Sequence, residues 1–224
     1  MEAVYQSNEV LRGVTIADVL HLLQETASQH QSALGTGRET MCRRGLLWMI
    51  TRQKLIFERQ PFCGERVTVT TWLSGARHGM YLRHYEMAGE DGGVICRAAA
   101  VWTLVDRETR TLAQLPITVP LVQREGQLSR FPLLHPMETV REFSFIVPQA
   151  YLDENGHMNN ARYFDAVTPI LPKDGVLRTV QVDYHLEACE GETLTIGYAA
   201  QENDLLIQAY GGRGLCFRMK LAYE

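Results

Sequence analysis

Apolar residues recur at helical spacing over only one long stretch. Ile16, Val19, Leu20, Leu22, Leu23, Ala27 and Leu34 lie between Thr15, suited to cap a helix, and Gly35, suited to stop one. The spacing predicts a helix from Thr15 to Leu34. The rest of the first half reads as strands: a short one at Glu2–Ser7, then Leu46–Gln60, Arg66–Leu73, Met80–Met87 and Val94–Val105. Turn residues at Cys63-Gly64-Glu65, Ser74-Gly75, Gly89–Gly93 and Asp106-Arg107 separate them. A helix followed by four long strands implies an antiparallel sheet packed on that helix, an α+β arrangement.

Between Thr109 and Arg141 the pattern gives way to Pro116, Pro120, Pro132 and Pro136 amid mixed charge, a linker laid across a surface. The second half then repeats the plan. A strand at Glu142–Val147 precedes a polar stretch and a short helix at Ala161–Val167, ended by Pro169. Strands at Leu177–Leu186, Thr193–Ala200, Leu205–Tyr210 and Leu215–Tyr223 follow, the last two joined by the Gly211-Gly212-Arg213-Gly214 turn. Phe62-Cys63-Gly64-Glu65-Arg66-Val67 echoes Cys189-Glu190-Gly191-Glu192-Thr193-Leu194, as a duplication would. The expected organisation is a repeat at 1–108, a linker at 109–141 and a second repeat at 142–224.

Composition narrows the function. A formal charge of −4 over 224 residues argues against nucleic acid as a partner. No apolar run is long enough for a membrane span and no signal segment opens the chain, so a cytoplasmic protein is expected, although a trimmed targeting peptide would leave no trace. Cys42, Cys63, Cys96, Cys189 and Cys216 are scattered, without a C-x-x-C pair, and read as buried reduced thiols. His21, His30, His78, His84 and His135 lack ligand spacing, so no metal is expected.

The densest chemistry lies at Asp153-Glu154-Asn155-Gly156-His157-Met158-Asn159-Asn160-Ala161-Arg162-Tyr163. In an extended segment Asp153, Asn155 and His157 would face one side. Asn159 or Asn160 would cap the following helix, whose unpaired N–H groups suit a developing oxyanion. The same residue types also make ordinary capped turns. A calcium loop fits less well, because Met158 occupies the position that loop reserves for glycine and no glutamate closes it.

The run Asp153-x-Asn155-x-His157-x-Asn159-Asn160-x-x-Tyr163 resembles the signature of the acyl-acyl-carrier-protein thioesterases, hydrolases of fatty-acid biosynthesis. Leu46–Arg52, Gly64–Trp72 and the strand Val182-Asp183-Tyr184-His185-Leu186-Glu187 are similar to other parts of that family. The resemblance implies tandem hotdog repeats and hydrolysis of a fatty acyl thioester on acyl carrier protein, without cofactor. It carries Asp153, Asn155, His157 and Glu187 over as the catalytic network, with backbone N–H groups of Met158, Asn159 and Asn160 around the oxyanion. Glu187 would activate water, Asp153 would fix the orientation of His157, and Asn155 would position the water or the carbonyl.

Departures from the family are Ala166 where a Trp is usual, His185-Leu186 where an Arg pair is usual, and a short Thr168–Gly175 stretch. Strict alternation would bury Val180, Val182, Tyr184 and Leu186 and expose Asp183, His185 and Glu187. Cys189 invites a nucleophile reading, and a small buried thiol fits better. Leu20, Leu23, Leu47, Met49, Ile50 and Phe57 could line an acyl pocket in the first half, and each could equally be plain core. Arg43-Arg44, Arg77 and Arg83 could meet an acidic carrier. Alternatives within the fold are a coenzyme A thioesterase, a 3-hydroxyacyl-thioester dehydratase and a non-catalytic acyl-binding protein, as monomer or homodimer.

Overall fold

A computed structural model of the chain describes residues 2–129 and 131–224; Met1 and Arg130, the latter within the expected linker, lie outside the described residues. The chain divides into two units at that point, and each carries its own helix and antiparallel sheet.

In the first unit, strand β1 (Val4–Val10) precedes helix α1 (Ile16–Ala33). Thr15 and Asp18 cap α1 reciprocally: Thr15 Oγ1 accepts from Asp18 N at 3.1 Å and Asp18 Oδ2 accepts from Thr15 N at 2.9 Å. A cap of this kind contributes about 1 kcal/mol. Leu20 and Leu23 on the inner stripe are fully buried, each stabilising the fold by roughly 2 kcal/mol. A five-residue helix α2 (Arg38–Cys42) follows, too short to show periodicity in the sequence. Then come β2 (Leu46–Phe57), β3 (Arg66–Arg77), β4 (Met80–Gly89) and β5 (Val94–Asp106), with spatial order β1-β3-β4-β5-β2.

The turn expected at Ser74-Gly75 is instead a register shift inside β3. Gly75 lets the strand bulge and continue, and the chain reverses at His78-Gly79. Gly79 has φ +77°, and a Cβ there would stand 2.3 Å from the carbonyl oxygen of Ala113. A second shift, around Thr51 in β2, reverses the facing of the residues on either side of it.

In the second unit, β6 (Arg141–Ile146) precedes helix α3 (Arg162–Val167), followed by β7 (Leu177–Tyr184), β8 (Thr193–Gln201), β9 (Asp204–Gly211) and β10 (Gly214–Tyr223). Their order, β6-β8-β9-β10-β7, is that of the first unit with each strand in its corresponding place. Each unit is therefore a hotdog repeat. The helix of the second has only six residues, and it packs through Tyr163, whose ring meets those of Phe217 on β10 and Tyr184 on β7.

The proline-rich segment binds largely through the amides of glutamine side chains. In the first unit Gln123 Nε2 donates to the Ser74 carbonyl at 2.7 Å, and Gln127 Oε1 accepts from Trp72 Nε1 at 3.2 Å. In the second, Gln181 Nε2 donates to the Pro132 carbonyl at 2.8 Å and Gln208 Nε2 to that of Met137 at 2.8 Å. The Asp183 carboxylate accepts from the Leu134 amide. Asp183, expected on an exposed face, is fully buried. Two-residue alternation could not show that the segment covers that side of β7. Among the described residues no helix is long and apolar enough to cross a membrane.

Candidate active site

Residues 153–157 form a tight turn, not the extended segment expected. Leu152 and Met158 bridge its base, Asp153 N donates to the His157 carbonyl at 2.7 Å, and Gly156 N donates to the Asp153 carbonyl at 3.0 Å. Gly156 has φ +80°, a conformation that costs a residue without a Cβ little. The Asp153 carboxylate is the hub. Its Oδ1 accepts from Asn155 N at 2.8 Å and His157 N at 3.3 Å, and its Oδ2 accepts from Asn155 Nδ2 at 3.2 Å. Asp153 thus fixes the His157 backbone and the Asn155 amide.

Glu187 reaches His157 because the chain leaves the sheet. Strand β7 ends at Tyr184, and backbone bonds from His185 to Cys216 and Leu186 to Leu215 carry it two residues further. Leu186, expected to be buried, is 39% exposed. Beyond it the chain crosses to the turn: Met158 N donates to the Ala188 carbonyl at 2.8 Å, and His157 and Cys189 form a bridge. The Glu187 side chain is brought back so that its Oε1 stands 3.2 Å from Nδ1 of His157. The groups meet at ion-pair distance without hydrogen-bond alignment. Their side chains are 20% and 28% exposed, although Nδ1 of His157 itself is buried.

Three side chains that the sequence did not single out for the site hold this crossing. Tyr163 Oη accepts from Ala188 N at 3.1 Å, and burial pushes its pKa upward, so it stays a neutral phenol. Tyr184 Oη donates to the Asn160 carbonyl at 2.9 Å, and Arg213 donates to the carbonyl of Glu187. Tyr163 belongs to the quoted signature; Arg213 could be read only as part of a turn. Cys189 is half-buried, its N–H donating to Glu192 Oε2 at 3.0 Å and its sulfur 3.7 Å from the Arg213 guanidinium. Of the other cysteines Cys96 and Cys216 are buried, whereas Cys63, expected inside, is exposed.

The helix expected from Ala161 begins at Arg162, with Ala161 at the cap. Asn159 forms a side-chain turn just before it, its Oδ1 accepting from Ala161 N at 2.9 Å. The N–H groups of Met158 and Asn159 are taken by the carbonyls of Ala188 and Tyr151. That of Asn160 has no acceptor among the described residues.

In the first unit the six lining candidates fall on different faces. Leu20 and Leu23 belong to the buried stripe of α1. Ile50 and Phe57 pair with Trp102 and Cys96, on the helix-facing side of the sheet. Leu47 and Met49 pair with Val105 and Thr103 on the opposite side, because of the shift at Thr51. Arg43, Arg44 and Arg77 are exposed, but Arg83 is 1% exposed, which removes it from any carrier surface.

The chain matches the family models for the acyl-ACP thioesterase N-terminal domain over residues 1–119 and for its C-terminal domain over residues 135–210. It is similar to the chloroplastic palmitoyl-acyl carrier protein thioesterase of Gossypium hirsutum, with 27% identity over 70% of this chain and 43% of that protein. A chloroplastic acyl-[acyl-carrier-protein] hydrolase of Cuphea viscosissima is 30% identical over 76% of this chain and 45% of its own. The chain therefore spans less than half the length of these curated relatives. Among solved structures, an acyl-ACP thioesterase from Bacteroides thetaiotaomicron superposes with a TM-score of 0.89 over 99% of this chain and 98% of that one, at 19% identity.

Proposed function

Since the chain belongs to the acyl-ACP thioesterase family, we propose that it hydrolyses the thioester of a fatty acyl-acyl-carrier-protein, releasing the free fatty acid and the carrier and ending chain elongation. The observation that carries this reading is the approach of Glu187 to His157 on a turn organised by Asp153.

In this reading a water beside Glu187 attacks the thioester carbonyl carbon while the carboxylate takes its proton, His157 holding the water and sharing the charge. The Asn155 amide, fixed by Asp153, orients the water or the carbonyl. Of the three N–H groups considered for the oxyanion, that of Asn160 is the one free to donate. The tetrahedral intermediate collapses as the C–S bond breaks, and the proton held at the Glu187–His157 pair goes to the departing thiolate. The first unit receives the acyl chain against Leu20, Leu23, Ile50 and Phe57. Exposed Arg43, Arg44 and Arg77 offer an acidic carrier a steering surface. The reaction is assigned to the cytoplasm, where carrier-bound synthesis would supply the substrate.

The test is thiol release from a panel of acyl-carrier-protein and coenzyme A thioesters, short to long, with wild type beside His157→Ala. Carrier-dependent release that the substitution abolishes is the expected result. Preference for coenzyme A thioesters would change the carrier, and tight binding with every thioester left intact would replace hydrolysis by acyl binding.

A further inference from the structure

Four strands of the first unit each place one residue in a single row. Leu73 opposes Arg83, Arg83 opposes Ala100, and Ala100 opposes Gln53. Residues directly opposite in an antiparallel ladder project to one face. That face is the one toward α1, because Nη1 of Arg83 lies 3.0 Å from Nδ1 of His30 on the helix and 3.1 Å from Thr71 Oγ1.

The row contains a positive charge without a counter-charge. Arg83 is 1% exposed and no carboxylate pairs with it among the described residues. His30 does not supply one: its Nδ1 accepts from Arg83 and its Nε2 lies 3.2 Å from the Glu2 carbonyl, the pattern of a neutral ring protonated at Nε2. Burial and the Arg83 charge both lower its pKa, which keeps it neutral. Nε of Arg83 has no partner, and Gln53, fully buried, has none at either amide atom. Between them stands Ala100, with Ala98 beside it on the same face, so only methyl groups separate the two side chains along β5. Two strand spacings set the Cα atoms of residues 53 and 83 about 10 Å apart, within reach of an amide and a guanidinium converging on one group. A buried unpaired charge and a buried unpaired amide are each costly. An anion with two acceptor oxygens answers both, and the flanking Leu55, Tyr85 and Trp102 suit an apolar remainder.

We propose that the first unit binds the far end of an acyl chain that terminates in a carboxylate, with Arg83 and Gln53 each donating to one of its oxygens, so that thioesters of dicarboxylic acids are preferred substrates. This rests on the reading that the first unit receives the acyl chain of a thioester.

The test compares kcat/KM for pairs of carrier thioesters of equal chain length, one ending in methyl and one in carboxylate, for wild type, Arg83→Met, Arg83→Lys and Gln53→Leu. Calorimetric titration of the full chain with the corresponding free mono- and dicarboxylic acids accompanies it. Wild type is expected to favour the carboxylate-ended chain by tenfold or more. Arg83→Met should reverse the preference, Arg83→Lys retain part of it, and Gln53→Leu reduce it severalfold. Gln53→Leu also removes two unsatisfied buried atoms, so its loss of selectivity cannot be assigned to poorer folding. Equal or better hydrolysis of methyl-ended chains by wild type would overturn the proposal and leave the thioesterase reading intact. If neither member of any pair were hydrolysed, the thioesterase reading would fall and the titration would decide: binding of the dicarboxylic acid that Arg83→Met abolishes upholds the site, and absence of binding overturns it.

Discussion

Nδ1 of His157 stands 3.2 Å from Oε1 of Glu187, although one lies in a turn ahead of α3 and the other beyond the end of β7. A carboxylate at that distance can accept a proton from water while the imidazole shares the resulting charge. Glu187→Gln preserves size and removes the proposed base, so kcat for thioester hydrolysis should fall about 10²–10⁴-fold with the fold retained. His157→Ala should fall in the same range. Steady-state kinetics on a carrier thioester, with circular dichroism of each variant, checks both. Full turnover by Glu187→Gln would remove Glu187 from the assigned role.

Asp153 acts through the backbone. Its carboxylate accepts from Asn155 N, Asn155 Nδ2 and His157 N, and hydrogen bonds to a charged acceptor contribute about 1.5–3 kcal/mol each. Asp153→Ala should loosen the turn while the sheet stays folded. The expected signature is a fall in kcat larger than any rise in KM, with faster amide hydrogen exchange confined to residues 153–158. An unchanged exchange pattern would show that the turn does not depend on this side chain.

The repeat was legible because strand alternation, turn glycines and the Thr15–Gly35 bracket around α1 are local signals that agree with one another. What failed was set by distant residues or by single-residue shifts. The bulge at Thr51 turned Leu47 and Met49 away from the helix, and nothing in the run 46–57 marks it. Asp183 read as exposed because its cover, the segment around Leu134, is 49 residues away in the chain. The site residues were named from the family resemblance, and the spacing of Asp153, Asn155 and His157 did not show their shape. A positive φ at Gly156 folds Asp153–His157 into a hub and spokes, where alternation had suggested a row.

Tyr163 ties α3 to the segment carrying Glu187. Its Oη accepts from Ala188 N, one residue from the catalytic candidate, in a buried setting. Tyr163→Phe leaves that N–H without an acceptor, so the chain should lose about 1–3 kcal/mol of stability. Glu187 should also be held less firmly, so kcat should fall while KM moves little. Urea unfolding and kinetics on the same preparation check the pair. A stability loss with unchanged kcat would mean that the 187–189 segment is held by Met158 and Arg213 alone.

His84 contributes to the pH dependence of stability. It is 1% exposed, it stacks on Trp72, its Nε2 lies 2.7 Å from Ser74 Oγ, and burial lowers its pKa from 6.5 to about 4. The unfolded chain therefore takes up a proton near pH 6.5 that the native chain refuses until about pH 4. Stability is full above the higher value and declines as pH falls between the two, by up to about 1.4 kcal/mol per pH unit for one proton. His30, lowered for the same reason, acts in the same direction. Replacing His84 by Gln keeps a partner for Ser74 and removes the titration. Urea unfolding followed from about pH 8 to about pH 4 should then show a shallower loss for His84→Gln than for wild type, whatever the two stabilities are at neutral pH. Parallel curves would place the acid sensitivity elsewhere, with His30 as the next group to replace.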